Sequence, residues 1–185
     1  RATHFVFDKT GTLTTGRMHL IGVEPMSNLS REDCLALAAA LEQASEHPVA
    51  NALRSAAARE LPVADQILSE PGQGIEGVVD GCRYRIGRPE YVLQLSRATL
   101  PASAASMLDS GDTVVVLGDT SGCLAVFRIG DEVRPESKRL VAELQAAGRH
   151  VVLLTGDAPG VAARVGRELG IADVRAGVTP QGKHT

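Results

Sequence analysis

Apolar positions along the chain change their spacing from one stretch to the next, and those changes divide it. The chain opens on a short unbroken run, Phe5-Val6-Phe7, that stops at Asp8. Such a run bounded by a turn residue predicts a buried strand. Helical spacing follows from Ser30, an N-cap candidate with Asp33 completing an approximate capping box. Leu35, Ala38, Ala39 and Leu41 give that helix its stripe. Pro48 suits the first turn of a second helix. Its face is Val49, Ala52, Leu53, Ala56 and Ala57, and Pro62 is expected to end it. From Gly72 to Gly87 the pattern is that of strands, with Asp80-Gly81 between Val78-Val79 and Arg83-Tyr84-Arg85-Ile86 as a hairpin signal. A second hairpin is expected at Thr113 to Leu117 and Leu124 to Phe127, turning through Asp119 to Gly122, with one or two helices between Pro89 and Leu108.

After Gly130 helix and strand alternate. Arg134-Pro135-Glu136 opens a helix bearing Leu140, Val141, Leu144 and Ala147, closed by Gly148. The buried strand Val151 to Leu154 leads into Thr155-Gly156-Asp157. A helix from about Gly160 to Leu169 carries Val161, Val165 and Leu169 on one face, and Val174-Arg175-Ala176 reads as a short strand. This rhythm predicts βαβ units and a parallel sheet. The expected architecture is an α/β domain over residues 1–22 and 128–185, interrupted by an α+β insertion with an antiparallel sheet over 23–127.

Composition narrows the class. Apolar residues are 44% of the 185, charged residues 22% and aromatics only 3%, so the cores must be built from Val, Leu, Ile and Ala. Net charge is −3 with no block of one sign, which disfavours nucleic acid as a partner. Cys34, Cys82 and Cys123 lie far apart without Cys-x-x-Cys spacing, which suggests neither a metal module nor a disulfide framework. No stretch approaches the roughly 20 apolar residues of a membrane span.

The candidate chemistry starts at Asp8. A carboxylate at the C-terminal end of a buried strand stands where open α/β sheets place ligands. Beside a lysine, hydroxyls and free backbone N–H groups it can attack phosphorus and form an aspartyl-phosphate. Thr155 and Asp157 end a second predicted strand and would share that edge if the strands are parallel neighbours. Alone, Thr-Gly-Asp is simply a helix-entry turn with an acidic residue near the helix start.

Asp8-Lys9-Thr10-Gly11-Thr12-Leu13-Thr14 resembles, residue for residue, the phosphorylation signature of the P-type cation-transporting ATPases, and the resemblance covers essentially the whole chain. It implies a haloacid-dehalogenase-like (Rossmannoid) phosphorylation domain interrupted by a nucleotide-binding domain. It implies ATP and Mg2+ as cofactors, with Asp8 as nucleophile, Lys9 neutralising phosphate charge, and Thr10 positioning phosphate and magnesium; Asp8 and Thr10 are the metal-holding candidates. Thr155 would bond a phosphate oxygen, and Asp157 would orient magnesium or nucleotide. Lys183, three residues after Pro180, would add a fixed charge at the phosphoryl group. Ala158 departs from the family's Asn after Thr-Gly-Asp. Thr10 stands where the wider superfamily usually has a second aspartate as acid and base, so an acyl-phosphate is expected to persist.

Ser45-Glu46-His47-Pro48 resembles the mark of the heavy-metal-transporting branch. There His47 would orient adenine, Glu42 would accept from its amino group, and Gly72 and Gly74 would let the nucleotide lie against backbone; Gly87-Arg88 replaces a Gly-Asn pair. Asp131 and Arg134 resemble the family's hinge pattern, or else cap and open a helix. The expected protein is the cytoplasmic catalytic region of a larger membrane pump, copper being the commonest cargo in the branch. Its partners would be ATP and the transmembrane and actuator domains of the same polypeptide, the cargo ion not binding here. Without the family's Gly-Asp-Gly-x-Asn-Asp signature, this stretch is expected to bind nucleotide and turn over weakly. The alternatives are a soluble phosphatase of the haloacid dehalogenase superfamily with a capping insertion, and a nucleotide sensor without catalysis.

Overall fold

The computed structural model describes residues 2–178. In chain order the elements are β1 (His4–Asp8), β2 (Thr14–Pro25), α1 (Arg31–Leu41), α2 (Pro48–Ala56), β3 (Ala64–Glu70), β4 (Gly74–Val79), β5 (Cys82–Gly87), α3 (Pro89–Leu93), α4 (Ala102–Leu108), β6 (Thr113–Asp119), β7 (Gly122–Val133), α5 (Pro135–Ala146), β8 (His150–Leu154), α6 (Pro159–Leu169) and β9 (Asp173–Arg175). They form two compact units. The first takes in the chain up to Arg17, Asp109–Asp112 and the chain from Asp131 on; the second is Met18–Leu108 with Thr113–Gly130.

The first unit holds a three-stranded parallel sheet in the order β1-β8-β9. Asp8 pairs with Leu154 and Leu154 with Arg175, so the carboxyl ends of all three strands meet at one edge. Its core packs Val141 of α5 and Val161, Val165 and Leu169 of α6 with Val151 and Leu153 of β8. The helices carry the expected end signals. Pro135 and Pro159 open α5 and α6, and Gly170 closes α6 in the left-handed conformation.

The second unit is built on an antiparallel sheet in the order β2-β7-β6-β5-β4-β3. Helices α1 and α2 bury Leu41, Val49 and Leu53 with Ile75 of β4, Ile86 of β5 and Phe127 of β7. Ser30 caps α1 by accepting the Asp33 N–H at 3.0 Å. Glu76 of β4, a buried carboxylate, is neutralised by Arg85 directly across the strand pair at 2.7 Å and by Arg83 at 3.2 Å.

Several elements differ from the sequence pattern. β2 and β3 have no clear apolar alternation, and β7 runs on to Val133. Helix α2 stops at Ala56, well before Pro62, whereas the two short helices between Pro89 and Leu108 are as expected. Among the described residues no helix is long and apolar enough to cross a membrane.

Candidate functional site

Asp8 is the last residue of β1, half-buried, with extended backbone (φ −77°, ψ 143°). The chain then reverses. Thr10 (φ −73°, ψ 123°) and Gly11 (φ 75°, ψ −10°) are the two central residues of a type II turn, whose second position demands a positive φ and so a glycine. The turn leaves Thr10 exposed at the carboxyl edge beyond Asp8, while Lys9 and Leu13 are buried.

The Lys9 ammonium is 4% exposed and held between two carboxylates. Asp157 Oδ2 lies 2.7 Å from its Nζ and Asp131 Oδ2 lies 3.4 Å away. Asp131 is in turn fixed by the loop it faces: Thr14 Oγ1 donates to Oδ2 at 2.5 Å and the Gly16 N–H donates to Oδ1 at 2.8 Å. The Lys9 carbonyl is also 3.0 Å from Thr14 Oγ1. One hydroxyl has one proton, and the shorter, charged acceptor takes it. Arg134 completes the strap, its Nε donating to the Thr14 carbonyl at 2.9 Å and its backbone N–H to the Leu13 carbonyl at 3.0 Å. Asp131 and Arg134 thus grip the chain from Leu13 to Gly16.

Thr155, 1% exposed, follows β8 at the same edge. Its Oγ1 accepts the Asp157 N–H at 3.1 Å, which leaves the hydroxyl proton available to an acceptor at the edge. Asp157 also accepts the Gly177 N–H on its backbone carbonyl, and its side chain reaches Lys9. Thus β1 and β8 bring Asp8, Lys9, Thr155 and Asp157 to one edge. Lys183 lies outside the described residues. Among the described residues no group of three or more His, Cys, Asp or Glu side chains could hold a metal ion unaided.

In the second unit, Glu42 sits at the C-cap of α1 and is 8% exposed. Burial pushes its carboxyl up from the ordinary value, opposed by the Ser45 hydroxyl and by the charges of His47 and Arg54. His47 is exposed and caps α2, its Nδ1 accepting the Val49 N–H at 3.2 Å. That bond fixes the tautomer, since a neutral ring accepting on Nδ1 carries its proton on Nε2. Gly72 has open space where a Cβ would stand. Gly74 is different: it pairs with Gly87, and a Cβ on it would meet the Ile86 carbonyl oxygen at 2.1 Å. Leu41 beside Glu42 and Ile75 beside Gly74 share one core cluster, which ties both segments to the same packing. Arg88 is exposed, at the N-cap of α3.

The family described as haloacid dehalogenase-like hydrolase matches residues 2–185. The chain belongs to the haloacid dehalogenase-like hydrolases. This hydrolase is 39% identical over 188 residues to a probable copper-transporting ATPase of Synechococcus elongatus, a match covering 99% of this chain and 23% of the relative. It is 38% identical over 184 residues to copper-exporting P-type ATPase B of Archaeoglobus fulgidus, covering 96% of this chain and 26% of the relative. Among solved structures, the crystal structure of a zinc-transporting PIB-type ATPase aligns with TM-score 0.82 and 35% identity, covering 99% of this chain and 30% of that one. The chain thus spans about a quarter of the length of these curated relatives. Its resemblance is to heavy-metal-transporting P-type ATPases, copper and zinc types alike, and a free-standing phosphatase of the same superfamily is the less supported alternative.

For a haloacid dehalogenase-like hydrolase the arrangement has a plain chemical meaning. A carboxylate at a strand end, beside a hydroxyl with a free proton, can attack a phosphoryl group. The lysine after it is committed to two carboxylates, a tie that no local pattern of residues betrays. Thr14 was missed as well; a threonine at a strand start carries no signal until the aspartate it meets, far along the chain, is known.

Proposed function

We propose that the chain is the ATP-binding and aspartyl-phosphorylated region of a membrane heavy-metal-transporting P-type ATPase. The first unit would be its phosphorylation domain, the second its nucleotide-binding domain, both on the cytoplasmic side. The observation that carries the reading is Asp8 at the carboxyl edge with Thr10, not a second aspartate, two residues on. In the reaction an Asp8 carboxylate oxygen bonds to the γ-phosphorus as the bond to the β,γ-bridging oxygen breaks and ADP leaves. No carboxylate at Thr10 activates water, so the acyl-phosphate lasts long enough to couple to transport.

Thr155 donates to a phosphate oxygen and Lys183 supplies positive charge beside it. Lys9, tied to Asp131 and Asp157, holds the loop that presents Asp8, and Asp157 serves the site through that tie. Magnesium is a hard cation that takes few protein oxygens and completes its shell with phosphate and water. Asp8 and Thr10 would hold it, and when bound it spreads phosphoryl charge. ATP itself is recognised in the second unit. A Glu42 carboxylate accepts from the adenine amino group and the His47 Nε2–H faces a ring acceptor, whereas guanine offers the carboxylate only an acceptor at the same place. Gly72 leaves room for the nucleotide. The cargo is a heavy-metal ion, copper the first candidate, and it does not bind this region.

The test is phosphorylation of the complete pump with γ-labelled ATP and magnesium. Label should reach wild type and be lost in Asp8→Asn. Label surviving in Asp8→Asn, or rapid phosphate release from a simple phosphomonoester, would overturn the assignment, the second outcome in favour of a phosphatase.

A further inference from the structure

Arg54, on α2, reaches back across the loop that joins the two helices. One of its terminal nitrogens donates to the backbone carbonyl of Glu42 at 2.5 Å and to that of Ser45 at 2.6 Å, while the other donates to Asn51 Oδ1 at 2.5 Å. Both carbonyls belong to the segment that carries Glu42 and His47. Ser45 extends the grip in two directions, since its hydroxyl bonds the Glu42 carboxyl and accepts the His47 backbone N–H at 3.3 Å. One guanidinium therefore sets where the segment turns, and the segment sets where the carboxylate and the imidazole stand.

The contacts are not needed merely to satisfy buried polar groups. The Glu42 carbonyl already accepts the Ser45 N–H at 3.0 Å, and Glu46 and His47 are exposed, so water can reach the loop. What the guanidinium adds is orientation. Its planar fork presents several donors in fixed directions, which a lysine ammonium on a flexible stem does not reproduce.

We infer that Arg54 is a positioning residue for base recognition: it locks the Glu42–His47 segment into the acceptor and donor arrangement that selects adenine over guanine. The inference rests on the reading of Glu42 and His47 as the base-recognition pair. Nucleotide then meets a loop already ordered, and the ordering cost that would otherwise weaken binding is avoided.

ATP and GTP titrations of the whole chain test it, with Arg54→Ala and Arg54→Lys beside wild type, His47→Gln and Glu42→Gln. Loss of the fork should weaken ATP about tenfold in both Arg54 variants and leave GTP nearly unchanged, the scale of one or two charge-assisted hydrogen bonds. A role confined to capping α1 would lower the melting temperature and leave the ATP:GTP preference as in wild type, and that outcome overturns the inference. So does an Arg54→Lys chain that keeps the full preference, or loss of folding in both variants, which would show Arg54 holding the unit together instead. If His47→Gln and Glu42→Gln also leave the preference intact, it is the base-recognition pair that fails. If those two abolish it and the Arg54 variants do not, only the role of Arg54 fails.

Discussion

Gly72 and Gly74 look alike in sequence, yet the structure gives them different work, and single alanines separate the two. A Cβ at Gly74 would stand 2.1 Å from the Ile86 carbonyl oxygen and 2.9 Å from the Gly87 Cα, both backbone atoms with no side chain to swing aside. Gly87 answers in kind, with φ +148° and a Cβ position 2.2 Å from the Gln73 carbonyl oxygen. Substitution must therefore pry the end of the β4–β5 pair apart by roughly 1 Å, an overpacking cost of about 1–3 kcal/mol. The Arg88 N–H donates to that Gln73 carbonyl at 2.8 Å. Losing this bond adds about 1 kcal/mol. Gly74→Ala should thus destabilise by about 3 kcal/mol. At Gly72 nothing lies within 4 Å of the Cβ position. There only the left-handed backbone is penalised, by about 1 kcal/mol. Urea unfolding followed by tyrosine emission is the assay, because the chain's two tyrosines, Tyr84 and Tyr91, both lie in the second unit and no tryptophan interferes. ATP titration completes it: Gly72→Ala should keep most of its stability and lose affinity severalfold if, as proposed, the nucleotide lies against Gly72. Gly74→Ala with wild-type stability and only an ATP defect would refute the packing argument, as would equal stability losses at the two sites.

Two further expectations follow from the charges. The native Glu42 carboxyl has its affinity for protons raised by burial, so the folded state keeps this proton after the unfolded chain has released it. Stability should therefore fall as pH rises from the ordinary carboxylate value through the raised native one; in Glu42→Gln that component should vanish, leaving a variant more stable at neutral pH but weaker for ATP. Melting curves of both proteins from about pH 4 to pH 8 read the difference, and parallel pH profiles would sink the claim. Lys9→Met removes the cation between Asp131 and Asp157; with Asp157 partly solvated the loss should be about 1–3 kcal/mol. A double-mutant cycle with Asp131→Asn should show coupling above about 1 kcal/mol, whereas additivity within about 0.5 kcal/mol would mean the two do not interact.

Sequence reading reached those parts of the fold where local chemistry and burial agree. Asp80-Gly81 turns the β4–β5 hairpin with both residues at positive φ, as its composition demands. Ser30, Pro48 and Pro135 open their helices. The apolar run ending at Asp8 is strand β1, but not the buried strand its pattern predicts: it lies at the sheet edge, with Val6 57% exposed and Phe5 and Phe7 only half-buried. It failed where a strand is made by its neighbours. β3 is an edge strand exposed along nearly its whole length, with Gln66 at positive φ, so burial imposes no alternation on it. β2 mixes Gly16, Arg17, His19 and Gly22 and becomes a strand through its place beside β7. At the site, the motif residues were legible because they are contiguous. The Lys9–Asp131 contact joins residues 122 apart, and Arg54 bonds carbonyls, which sequence does not distinguish from any other.

The pairing of Lys9 with Asp131 and Asp157 bears on the electrostatics of the whole edge. The Lys9 ammonium stands between two carboxylates, Asp131 and Asp157, and the Arg134 guanidinium lies on the same loop. Lys9 is further spent on its own pair of carboxylates, and Arg134 is turned to backbone carbonyls. A γ-phosphate approaching Asp8 is an anion approaching an anion. At about 4 Å and an effective dielectric constant near 20, each unit pair repels by about 4 kcal/mol. Neither Lys9, paired with Asp131 and Asp157, nor Arg134, bonded to the Thr14 carbonyl, is directed at that charge, so further positive charge would favour the approach. Lys183, beyond the described residues, is one source that the sequence offers, and a divalent cation entering with the nucleotide is the other. On this argument the buried lysine keeps Asp131 and the loop in place, and the proposed phosphorylation should need magnesium unless Lys183 supplies the charge alone; equal labelling with magnesium and with a chelator would refute the need for the cation.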